Sequence, residues 1–133
     1  MEAGDDAEWL LYAESDLRYA VLGRGEPDIL QNQVAFHAQQ AAEKALKAVL
    51  VHATVEFPRT HDLHNLLTLI RDCGIFVPPG LEQLPALTRF AVESRYPGDV
   101  ESVTPDEVAH AIALAETTIA WVRAQIQPLP ETD

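Results

Sequence analysis

Between Asp28 and His52 the chain carries one long apolar tract with a helical period, and this tract limits the architecture more than any other feature. Leu30, Val34, Ala38, Ala41, Ala45 and Val49 fall on one side of a helix, with Phe36, Ala42, Leu46 and Leu50 close beside them. A helix apolar over so wide an arc needs neighbours on more than one side. Its many alanines let those neighbours approach closely, so the tract is placed at the centre of a helical bundle. Asp28 is expected to cap it, with Gln31 at the capping-box position, and it should reach about His52.

The flanking segments read as further helices. Trp9, Leu10, Tyr12, Ala13, Leu17, Ala20 and Val21 recur at three- and four-residue spacing, predicting a helix from about Asp6 to Leu22 that Gly23 and Gly25 stop. A loop from Thr54 to Thr60 leads to a third helix, about Asp62 to Asp72, ended by Gly74. After the Pro78-Pro79-Gly80 turn a fourth is expected from Pro85 to Ser94, closed by Pro97-Gly98. Thr104-Pro105-Asp106-Glu107 then offers an N-cap, a proline at the first helical position, early acids and a capping-box Glu. This last helix should run to about Ile126, where Pro128 and Pro130 follow. No alternating β pattern and no internal repeat is present. The expectation is an all-α, up-and-down bundle of four to five antiparallel helices, one domain over residues 1–133 with its core in about 6–127.

Composition narrows the function classes. The 47% hydrophobic content suits a globular chain. No apolar run approaches the roughly 20 residues that cross a bilayer. The acidic start, Met1 to Glu8, lacks the basic region of a secretory signal. Cys73 is the single cysteine, so no intrachain disulfide can form. A cytoplasmic location with no membrane partner is expected. The formal charge of −12 opposes broad binding to nucleic acid, DNA included. That acidity is concentrated near the two ends. From Ile29 to Gly98 six acids meet six bases, which leaves room for a local anion site.

Three stretches hold groups with chemistry. His37, Gln40, Lys44 and Lys47 lie within about 80° on one helical face, a set of donors and cations suited to a phosphate or nucleotide. Equally, the face could be a solvated stripe with a Glu43–Lys47 ion pair four residues apart. His61 and His64 stand three apart, a spacing that can share a metal, but no HExxH motif accompanies them and no metal site or cofactor is assigned. His61 also suits a helix start, bonded to backbone or a partner. Arg95 and Tyr96 close the fourth predicted helix, where an arginine meets the negative end of the helix dipole or binds phosphate in a cleft.

Taken in order, Gln39-Gln40-Ala41-Ala42-Glu43-Lys44-Ala45-Leu46-Lys47-Ala48, Thr60-His61-Asp62-Leu63 and Ser94-Arg95-Tyr96-Pro97 resemble the HEPN domain, the nucleotide-binding family of higher eukaryotes and prokaryotes. The resemblance spans about Trp9 to Ile126, and Asp16-Leu17 fits the family's opening helix. It implies a helical bundle that forms a two-fold homodimer. It also implies a minimal nucleotidyltransferase as protein partner, often within a toxin–antitoxin pair, and a nucleotide or RNA as ligand. Many members are metal-independent endoribonucleases, in which an arginine is followed a few residues later by a histidine. Arg95 matches that arginine, but Tyr96 through Thr104 hold no histidine, and the next, His110, lies inside the last predicted helix. Loss of that acid–base group argues against RNA cleavage by the usual route. In the alternative reading as an endoribonuclease, His61 or His37 replaces it, with His61 the better placed, and the remaining alternative is a structural adaptor.

Overall fold

The computed structural model describes residues 5–91 and 103–127. Four α-helices occur among them: α1 (Asp6–Gly23), α2 (Gln31–His52), α3 (Leu63–Asp72) and α4 (Pro105–Ile126). Two 3-10 segments, Pro79–Leu81 and Leu84–Phe90, stand between α3 and α4. The described residues contain no strand, so the all-α bundle is the fold.

The apolar arc of α2 decides the packing. Ala35, Ala38, Ala41, Ala42, Ala45 and Ala48 are all fully buried, and the bulkier Leu46 and Leu50 fill the remaining space. Helix α2 packs mainly against α1 and α4, and also touches α3 and the second 3-10 segment. Each fully buried leucine contributes about 1.5–3 kcal/mol of transfer free energy. The alanines contribute mainly by bringing backbones together, where dispersion contacts accumulate. Antiparallel pairing of α1 and α2 follows from their ends, since His52 bonds Asp6 at one end and Gly23 approaches Val34 at the other. A Cβ on Gly23 would lie 3.0 Å from Val34 Cγ2, so this turn closes tightly only over a glycine.

Caps explain the helix boundaries. Asp5 and Glu8 form a reciprocal capping box on α1, and Thr104 and Glu107 form one on α4. Asp62 caps α3 by accepting from the His64 and Asn65 amides. Gly74, at φ 94°, lets the chain turn away after α3, a conformation costly for a side chain.

Two expectations change. Asp28 does not cap α2, whose N-cap is Leu30, without a side-chain bond. Gln31 instead ties the incoming turn, donating to the Gly23 and Ile29 carbonyls and accepting from the Gly25 amide. The α1–α2 turn thus takes up the polar groups that a cap would have served. The expected fourth α-helix from Pro85 is a 3-10 segment over Leu84–Phe90, and residues beyond Ala91 lie outside the described ones. Leu81, Leu84, Leu87 and Phe90 recur at strict three-residue spacing, which suits three residues per turn and sets these four side chains on one line. Arg89 then reaches Glu107, fastening the second segment to the start of α4.

Candidate functional site

Helix α2 carries the polar groups, and the structure gathers them around two carboxylates. Asp16 stands three residues after Ala13 and four before Ala20, on the inward face of α1, and is 8% exposed. Its Oδ1 meets His37 Nδ1 at 2.9 Å and its Oδ2 accepts from Lys44 Nζ at 2.6 Å. The His37 ring stacks on Tyr19 with centroids 5.1 Å apart and meets Phe36 edge-on. Lys44 also lies over the Tyr12 ring.

Glu43 is the second centre, 3% exposed. Its Oε2 accepts from Lys47 Nζ at 2.9 Å, and its Oε1 from Gln39 at 3.0 Å, Gln40 at 3.4 Å and His61 Nδ1 at 2.8 Å. Gln40 also donates to Gln39 Oε1, and Gln39 reaches the His61 carbonyl at 3.5 Å. Lys47 sits over the rings of Trp9 and Phe57, which meet edge-on. Burial pushes the Glu43 carboxyl up, but bonds from Lys47, Gln39 and His61, with the Lys47 charge, hold it below its ordinary range.

The stripe of donors predicted on α2 is therefore divided. His37 and Lys44 share Asp16, whereas Gln40 and Lys47 belong to the Glu43 cluster with His61. It is not a solvated stripe, because α1 covers it, and the Glu43–Lys47 pair is buried rather than exposed. Arg95 and Tyr96 lie outside the described residues. His64 is exposed on α3, and among the described residues no three His, Cys, Asp or Glu side chains gather as metal ligands.

Asp16 and Glu43 are the residues that sequence reasoning undervalues. The available signal is position: each acid falls within the apolar arc of its own helix, where an ionised group needs a partner.

A small all-α bundle, built on one alanine-lined helix that carries two carboxylate-centred polar clusters, is the class of protein these features define. The HEPN domain profile matches residues 7–125, and the chain belongs to that family. A crystal structure of the protein TT1696 from Thermus thermophilus is similar at 29% identity and TM-score 0.75, over 90% of this chain and 97% of that one. ST0689, an archaeal HEPN homologue, is similar at 25% identity and TM-score 0.70, over 93% of this chain and 99% of that one. No curated protein matches.

Proposed function

We propose that this HEPN protein acts as a symmetric homodimer that docks a minimal nucleotidyltransferase, in the manner of a toxin–antitoxin pair. The observation that carries this reading is on α1. Leu11, Tyr12, Tyr19 and Leu22 are 56–61% exposed and fall within roughly 100° of arc, an apolar-rich face on which only the small Ser15 and, at its N-terminal end, Glu8 intervene. Ile29 and Leu30 extend it at the α1–α2 turn. The wide apolar arc of α2 is covered by α1, α3 and α4. Apart from Phe76 in the loop after α3, the exposed large hydrophobics among the described residues lie on α1 or in the α1–α2 turn, which makes this the face for a second copy. An isologous contact would place this strip against its own copy.

Light scattering at micromolar concentration should give twice the chain mass, and a Leu11→Glu, Tyr19→Glu variant should give the chain mass. A wild-type monomer would reject the reading. Co-purification with the product of an adjacent nucleotidyltransferase reading frame tests the partner.

A nucleotide phosphate would be taken by Lys44 and His37 at the edge of α1, with Arg95 and Tyr96 as proposed further contacts. Phosphate there would compete with Asp16 for Lys44. Binding should fall with salt and with Lys44→Ala, and an unchanged titration would remove the nucleotide from the proposal. Because no histidine follows Arg95 at the ribonuclease spacing, the purified protein is expected to leave RNA uncut at rates typical of the family's toxins.

A further inference from the structure

Three histidines bond a carboxylate through Nδ1, and their surroundings differ. Side-chain exposures for histidine and acid are 47% and 28% at His52–Asp6, and 33% and 12% at His37–Asp16. At His61–Glu43 they are 62% and 4%. This last pair joins the most open imidazole to the most buried acid. Glu43 accepts from four side chains, and Gln39 holds both the carboxylate and the His61 backbone, so the acid is fixed in place before anything binds.

The tautomer follows from this arrangement. An ionised carboxylate only accepts, so His61 Nδ1 carries the hydrogen and the neutral ring keeps its lone pair on Nε2. No described residue bonds Nε2. A base-ready nitrogen on an exposed ring, with a dry carboxylate behind it, is more than packing or docking requires.

We propose that His61 is a general acid–base residue, positioned by Glu43, that activates water or an alcohol against an uncharged ester-type carbonyl. His61 Nε2 takes the proton as the hydroxyl oxygen bonds to the carbonyl carbon and the C=O π pair moves onto the carbonyl oxygen, to return when the leaving group departs. The imidazolium is steadied by Glu43 through Nδ1–H. The carbon–oxygen bond to the leaving group then breaks, and the departing oxygen takes the proton back from Nε2. The local charge selects for a neutral substrate. Glu43 and Lys47 on α2 cancel, the loop before α3 carries Glu56 and Asp62 against Arg59, and Arg89 of the second 3-10 segment is engaged by Glu107. In a chain of net charge −12 this site offers little to a polyanion.

Two measurements test the proposal on the intact chain. Nitrogen NMR of the imidazole at neutral pH should show the Nδ1–H tautomer for His61, and the Nε2–H form would overturn it. With p-nitrophenyl acetate as probe, His61→Gln should remove most of the hydrolysis and His52→Gln little. Glu43→Gln, which keeps the shape and removes the charge, should lower the His61-dependent rate about tenfold or more and shift its pH profile. An equal rate in wild type and His61→Gln would overturn the assignment. Cleavage of an RNA oligonucleotide that is lost in His61→Gln would overturn the neutral substrate. Should Glu43→Gln fail to fold, the wild-type tautomer and the His61→Gln rate decide.

Discussion

Individual residues divide by how far their partners lie along the chain. Glu43 and Lys47 are one helical turn apart, and the pairing is readable from spacing alone, but its burial is not. That depends on Trp9 and Phe57 closing over Lys47 from α1 and from the loop after α2. Asp16 meets partners 21 and 28 positions away, which only packing of α1 on α2 can bring together. Burial also sets the energetic scale. Lys47→Met strands the Glu43 charge and should lower stability by about 3–5 kcal/mol in urea unfolding, while adding Glu43→Gln should recover much of it. The folded Glu43 carboxyl lies below its ordinary 4.5, so as pH falls the unfolded chain takes up this proton first. The stability it supplies is therefore complete above about pH 4.5 and lost as pH falls through the lowered folded value. Acid titration of the unfolding midpoint should show a loss in that window, reduced in Glu43→Gln.

At the level of elements, the legible boundaries are those written in local chemistry. The Thr104 capping box and the positive-φ glycines that follow α1 and α3, Gly25 and Gly74, can be read from sequence because each depends on residues within one turn. Thr104→Ala should cost about 1 kcal/mol by thermal or urea melting. Gly23→Ala should be destabilising although alanine is the better helix former, because its methyl meets Val34. Equal or higher stability would show that the turn can give way. The start of α2 escapes such a reading because the Asp28 signal is local, whereas the stretch from Gly23 to Gln31 is organised as a turn by the Gln31 amide. Leu84–Phe90 escapes it for another reason. A proline near the first position suits a helix of either kind, and only the three-residue apolar repeat separates them.

Across the molecule, the central position of α2 is visible from its wide apolar arc, and the family from three motifs in register. What sequence cannot show is which face remains uncovered. Summed hydrophobicity assigns the surplus to α2, but α1, α3 and α4 cover it, and the exposed strip lies on α1. Arg18 and Glu14 share α1 with that strip, and Glu14 is already engaged by Arg123 of α4 at 2.8 Å. The edge of α1 nearest α4 is therefore bound within the chain, which leaves the Leu11–Leu22 side as the open one.

A helix that every other helix leans on has a consequence for hydrogen exchange. The amides in the middle of α2 lie beyond the reach of end fraying, and α1 and α4 pack along the helix with α3 beside them, so departure of one neighbour leaves the others in place. Their exchange should require opening of the whole bundle, so their protection factors should agree with the free energy of global unfolding. Helix α3 has fewer neighbours and should exchange through smaller openings. Deuterium uptake in which α2 labels as early as α3 would mean that the bundle opens in parts rather than as one cooperative unit.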